Sequence, residues 1–465
     1  MPYFVEQLYT ACLAEATYYI ESEGQAAIID PLRETEPYLE LLSRRGATLR
    51  YVIETHFHAD FVSSHLDLAQ LTGAAIVYGP TAQARAGFTL HEAADGERLA
   101  LGAISLEVIH TPGHTLESMC LLLRDEQGEP QSLFTGDTLF VGDVGRPDLA
   151  VKSDLSREQL ASLLYDSIER LKALPDALVV YPGHGAGSAC GKQIGQERNT
   201  TLGLQKKLNY ALQPLTREQF IEVVTEGQTA PPRYFFEDAR INKDGPAPIA
   251  EVLTQNLRAL STDELTTAVN SGAIVLDSRT PDAFSAGFIP GSVSVGLGGQ
   301  FAIWVGTLFD IAQPFVLVTE PGKEHETVLR LARVGFENVV GYLDGGITSW
   351  LASGNQLSTI ANLSPAEFAA QQSPELRVLD VRRESERLSL GVIEGSVSLP
   401  LEELPQRAAE LDPAATWHIH CAGGYRSMIA ASLLRRAGIE HVVNLAGGFA
   451  TIKAAGARVA ELQPA

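Results

Sequence analysis

Between residue 1 and about residue 110, short apolar runs alternate with stretches whose apolar positions recur every three or four residues. Tyr18-Tyr19-Ile20 and Ala26-Ala27-Ile28-Ile29 read as strands, the second closing on Asp30-Pro31. Tyr38, Leu39, Leu41 and Leu42 share a helical face over 35–46, and Leu66, Leu68, Ala69 and Leu71 do so over 64–72. Val52-Ile53 and Ile76-Val77-Tyr78 are further strands, the latter stopped by Gly79-Pro80. Ile104 to Ile109 alternates like a half-buried strand, and 119–123 with 132–134 flank a Gly-Glu-Pro turn, a hairpin signature. A helix at 157–173, a strand at 178–181 and helices at about 197–212 and 216–226 complete this part. Such alternation predicts an α/β fold.

The pattern breaks at 230–250, where Pro231-Pro232, Gly245-Pro246 and Pro248 surround Tyr234, Phe235 and Phe236. Three adjacent aromatics are unusual in a solvated linker, so this segment is expected to pack back on the preceding domain. Beyond 255 the chain repeats itself. Val275-Leu276-Asp277-Ser278-Arg279 recurs as Val378-Leu379-Asp380-Val381-Arg382, and Asp344-Gly345-Gly346 as Ala446-Gly447-Gly448. The offset of about 103 residues is a domain rather than a solenoid unit. Three domains are predicted, over 1–250, 257–355 and 360–465, each α/β.

A net charge of −22 changes the list of partners: neither nucleic acid nor an anionic membrane is expected, because both require basic surfaces. Four scattered cysteines, Cys12, Cys120, Cys190 and Cys421, form no C-x-x-C pair and do not resemble a disulfide scaffold. No apolar run is long enough for a membrane span, so a cytoplasmic protein is expected.

Four stretches carry concentrated chemistry. Thr55-His56-Phe57-His58-Ala59-Asp60, Thr111-Pro112-Gly113-His114, Thr135-Gly136-Asp137-Thr138 and Tyr181-Pro182-Gly183-His184 each follow a predicted strand. Imidazoles and carboxylates crowded at one sheet edge are costly unless a metal shares their lone pairs. In this order the four resemble the motifs of the metallo-β-lactamase superfamily, which implies an αββα sandwich over 1–250. Dinuclear zinc hydrolases of that superfamily carry H-x-H-x-D-H, but here Phe61 replaces the last histidine. The resemblance then points to its persulfide dioxygenases, which hold one Fe(II) per chain at the positions of His56, His114 and Asp137. Two histidines and one carboxylate suit non-haem iron. His58, Asp60 and His184 are expected to orient those ligands. Arg146 could bind the substrate's negative end, or pair with Asp143 or Asp148. Cys190, flanked by Gly191 and Lys192, is expected to be a reachable, somewhat acidified thiol near the metal. His65 reads as a helix-surface residue, and Cys12 and Cys120 as core.

In the last domain a strand at 418–420 delivers Cys421 into Ala422-Gly423-Gly424-Tyr425-Arg426-Ser427, which opens a helix. Backbone N–H groups there favour an anionic sulfur. The loop, with Asp380 and Gly447-Gly448, resembles rhodanese sulfurtransferases, in which Cys421 would carry sulfur, with Arg426 and Asp380 in the site. A Cys-dependent phosphatase would need arginine where Ser427 stands. The first repeat has Thr319 opposite Cys421 and Glu324 opposite Arg426. Without a thiol it is expected to be inactive, with a structural or docking role.

The resemblance as a whole is to a persulfide dioxygenase fused to one inactive and one active rhodanese-like domain. It implies oxidation of a small thiol persulfide (glutathione, coenzyme A or similar) by O2 to sulfite, with sulfur transfer at Cys421 and possible thiosulfate formation. A homo-oligomer is expected. Two alternatives stand beside it: a zinc thioester hydrolase like glyoxalase II, and a non-catalytic sulfane-sulfur carrier or sensor.

Overall fold

The computed structural model describes residues 3–149, 155–228 and 230–462. The chain forms two units: residues 1–252 with Ala332–Gly335, and 253–331 with 336–465.

In the first unit, two six-stranded sheets face each other. One runs in chain order from Phe4–Thr10 to His91–Glu92. The other runs from Thr200–Thr201 through Val179–Pro182, Pro130–Gly136, Met119–Arg124 and Ile104–His110 to Arg98–Leu101. The strand period of two sorts the side chains into layers. Tyr18, Ile20, Leu121 and Leu123 join the core between the sheets. Their neighbours point outward: Tyr19 meets Tyr38, Leu41 and Leu42 of the helix Glu36–Arg45, and Cys120 and Leu122 meet Leu164 and Ile168 of the helix Arg157–Lys172. Because both faces of each sheet are covered, these strands read as near-continuous apolar runs. The αββα architecture expected from the sequence is the one observed.

The expected hairpin is present, with Met119–Arg124 antiparallel to Pro130–Gly136. The predicted helix over 197–212 is divided into a short edge strand at Thr200–Thr201, the helix Leu202–Leu208 and a 3₁₀ turn at Tyr210–Leu212. In the proline-rich segment, Phe235–Asp244 and Ile249–Asn256 are helical. The first helix packs on the domain through Asn242, whose side-chain amide donates to the carbonyls of His58 (2.9 Å) and Phe61 (2.7 Å).

The second unit contains two five-stranded parallel sheets of the same strand order. Ile274–Asp277 and Phe315–Val318 of the first correspond to Arg377–Asp380 and Trp417–His420 of the second. The repeated Asp-x-Arg builds the same brace twice. Arg279 binds Asp277 and the Gly287 carbonyl, and Arg382 binds Asp380 and the Gly391 carbonyl. Among the described residues, no helix is long and apolar enough to cross a membrane.

Candidate functional site

The strand ends of the first unit converge at one edge. Thr48–Ile53 delivers His56, Ile104–His110 delivers His114, Pro130–Gly136 delivers Asp137, and Val179–Pro182 delivers His184. The approach is so close that a Cβ on Gly183 would lie 2.7 Å from Asp137 Oδ1, and one on Gly145 would lie 1.8 Å from the Asp137 carbonyl oxygen. Only glycine permits either.

His56, His114 and Asp137 are all buried, and their donor atoms lie within 4.8 Å of one another. Asp137 Oδ2 is 4.0 Å from His56 Nε2 and 3.5 Å from His114 Nε2. Each ring is oriented from behind. His114 Nδ1 donates to the Arg146 carbonyl (2.9 Å). Thr55 Oγ1 donates to Asp30 (2.9 Å) and therefore accepts from His56 Nδ1 (3.0 Å). Both tautomers thus leave Nε2 lone pairs facing Asp137. Burial, then the neighbouring His58, His114, His184 and Lys243, holds His56 well below its usual range, and burial also lowers His114. Both are neutral at pH 7, as metal ligands must be. His56 Nε2 and both Asp137 oxygens have no N–H or O–H hydrogen-bond partner among the described residues. A buried carboxylate left this way is costly unless a cation joins it. The donor set fits a metal ion.

His58, two residues from His56, has a different environment. Its Nε2 lies 2.9 Å from Asp30 and 3.3 Å from Glu54. Burial alone would lower its pKa, but the two carboxylates raise it well above the usual value, so it is a cation. Phe61 is buried with its ring centroid 4.2 Å from that of His58. Asp60 pairs with His184 Nε2 at 3.2 Å, and His184 lies 3.4 Å from Asp137 Oδ1. With Cys190 these residues form a second group able to hold a cation.

Several sequence expectations change. Cys190 is buried, and burial, followed by the Asp60 and Asp137 carboxylates, pushes its thiol well up. It is neither reachable nor acidified, and the neighbouring Lys192 donates its ammonium to the Val223 carbonyl. Of the two roles the sequence left open for Arg146, the structure shows the pairing: it is buried and bidentate to Asp148 (2.6 and 2.8 Å), so its charge is taken up within the chain. His65 is buried rather than on a helix surface, with its ring edge-on to Tyr78 and tilted against Phe88. Cys12 is half-buried in a turn, whereas Cys120 is core. A cavity of about 30 Å³ beside His114 is lined by Phe57 and Ala59 of the first motif and by Arg85, Glu117 and Lys243, which the sequence did not single out; Arg85 lies 4.0 Å from Glu117. The two cations come from segments about 160 residues apart, a pairing that no local pattern reveals.

In the last domain Cys421 Sγ accepts from the Gly424 N–H at 3.1 Å and lies 3.7 Å from Ser427 Oγ. Arg426 is bidentate to Glu386, at 2.6 Å twice. Asp380 is buried and held by Arg382. In the first repeat the Glu324 carboxylate occupies the loop, accepting from Thr319 Oγ1 (3.2 Å) and the Gly322 N–H (3.3 Å).

The metallo-beta-lactamase superfamily profile matches residues 11–184, and the rhodanese-like domain profile matches 261–353 and 364–455. A metallo-beta-lactamase structure from Staphylococcus aureus subsp. aureus COL is 32% identical with a TM-score of 0.65, over 74% of this chain and 99% of that one. The chain belongs to the metallo-beta-lactamase superfamily. More particularly, it is a form in which two rhodanese-like domains follow the metal-binding domain. Among curated relatives, the cytoplasmic hydroxyacylglutathione hydrolase of Arabidopsis thaliana is 33% identical over 37% of this chain, which spans 65% of that protein's length. The mitochondrial persulfide dioxygenase ETHE1 of Homo sapiens is 28% identical over 48% of this chain and 81% of its own.

Proposed function

We propose that the chain oxidises a low-molecular-weight thiol persulfide with O2, R-S-SH + O2 + H2O giving R-SH, sulfite and two protons. Cys421 would carry sulfane sulfur in a second reaction. The observation that carries the first part is the difference between His56 and His58. Only His56 joins His114 and Asp137, because Asp30 and Glu54 hold His58 as a cation, and Phe61 offers no ligand. Iron(II) in that two-histidine, one-carboxylate set would supply redox capacity that zinc lacks. Around it, the Arg146 carbonyl and Thr55 fix the imidazole tautomers, and buried Phe57 and Phe61 exclude water. Arg85 and Lys243 at the cavity suit an anionic thiol carrier, the role that Arg146 does not fill.

The test is O2 uptake with product analysis on the Fe(II)-loaded full chain, given glutathione persulfide. Sulfite should form only with O2, and His114→Ala or Asp137→Ala should abolish it. Sulfite or thiosulfate in molar excess over enzyme eliminates a carrier or sensor. The Asp60–His184–Cys190 group favours a second reading, a two-metal zinc thioester hydrolase like the hydroxyacylglutathione hydrolase relatives. Turnover of a glutathione thioester by the zinc-loaded chain without O2 would decide for it.

A further inference from the structure

The helix Tyr425–Arg436, which starts at the Cys421 loop, lies with one face on the first rhodanese-like domain. Tyr425 donates its hydroxyl to the Gly296 carbonyl at 2.6 Å, Ser432 Oγ accepts from the Ser294 N–H at 3.0 Å, and Arg436 donates to the Gly291 carbonyl at 3.0 Å. Spacings of seven and four place these three on the same side of a helix. The Tyr425 ring lies against Gly296-Leu297-Gly298-Gly299 so closely that a Cβ on Gly299 would be 2.6 Å from it. Tyr425 directly follows Gly424, the residue whose N–H points at Cys421 Sγ and whose φ of 91° puts it in the left-handed region.

We propose that Tyr425 is a positioning residue, and that the thiol-less domain, by gripping it through Gly296–Gly299, holds the Gly424 N–H on the Cys421 sulfur. The domain without a cysteine is thereby part of the sulfur-transfer site. This rests on the reading of Cys421 as a sulfur carrier. A backbone donor fixed from outside its own domain stabilises the anionic sulfur without having to reorganise during reaction.

Thiosulfate:cyanide transfer by the full chain tests it. The Cys421 thiolate attacks the outer sulfur of thiosulfate, the S–S bond breaks and sulfite leaves. Cyanide then takes that sulfur, leaving as thiocyanate and restoring the thiolate. Tyr425→Phe, which loses only the hydroxyl, should lower kcat about five- to tenfold, the weight of one hydrogen bond. KM for thiosulfate should stay within about twofold. Gly299→Ala, in the other domain, should reproduce that loss by displacing the ring. Ser432→Ala, on the same helix face but away from the loop, should lower the melting temperature and leave kcat as in wild type. An unchanged kcat in Tyr425→Phe, or an equal fall in Ser432→Ala, overturns the proposal, since the interface would then act through stability alone. Cys421→Ser is run alongside: if it still transfers sulfur, the carrier reading itself fails.

Discussion

The Thr319 and Cys421 loops stand at equivalent strand ends of two sheets with the same order and the same Asp-x-Arg brace, yet a different group takes the loop N–H in each. At Cys421 the loop N–H converges on sulfur, and the nearby guanidinium of Arg426 is held by Glu386. At Thr319 a carboxylate of the chain itself takes the loop's N–H, so the place of an incoming anion is already filled by Glu324. The lesson is that the brace maintains the fold while the loop decides the chemistry. The first copy has the brace without the thiol, and a separate segment, Gly296–Gly299, touches the Tyr425 helix of the second.

The comparison breaks first at the cysteine. Cys421→Ser should abolish thiosulfate:cyanide transfer and leave O2 uptake with free persulfide intact. Transfer surviving in that variant would mean that one of the other cysteines, Cys12, Cys120 or Cys190, carries sulfur. Next is the shared brace. Asp380→Asn leaves the buried Arg382 guanidinium, and Asp277→Asn the half-buried Arg279 one, short of its counter-charge, which should cost about 3 kcal/mol or a little less in denaturant unfolding. Markedly unequal costs would show that the two frames are not equivalent. In the Cys421→Ser chain, Thr319→Cys alone should give no transfer, because Glu324 still fills the loop. In the Cys421→Ser chain given thiosulfate, the double variant Thr319→Cys, Glu324→Arg should take the outer sulfur with release of sulfite and show an enzyme persulfide by intact mass, and failure to do so would place the difference beyond the loop. The smallest effect concerns Glu386. Burial would raise its carboxyl, but the Arg426 hydrogen bonds lower it below the ordinary 4.5. A depressed folded pKa stabilises above that value and loses its contribution as pH falls through the folded one. Glu386→Gln should therefore cost under about 1 kcal/mol at neutral pH, since the pair is partly solvated. That deficit should shrink below pH 4.5.

The sheets, the three-part organisation and the donors at the strand ends were legible because each leaves a local trace: apolar period, repeat offset, or glycine beside a polar residue. What escaped depends on distant partners. His58 differs from His56 because Asp30, 28 residues earlier, claims its Nε2. For Arg146 the sequence left two roles open, a substrate anion or a pair with Asp143 or Asp148, and only the fold selects Asp148, while Cys190 looked reachable from its neighbours although the fold buries it. Arg85 and Lys243 meet only once the tail helix Phe235–Asp244 has packed back. Tyr425 gave no signal at all, since its partners are backbone groups of another domain.

That tail helix also bears on how the protein is made. Asn242 secures the carbonyls of His58 and Phe61, which precede it by 184 and 181 residues. On the ribosome the loop after Thr48–Ile53 emerges early, but its lock is synthesised only when about half the chain is out. Because domains tend to fold as units during synthesis, the nascent cup stays unlatched through that interval. Chaperones, or a metal arriving too soon, would meet this domain in that open form, well before either rhodanese-like repeat exists.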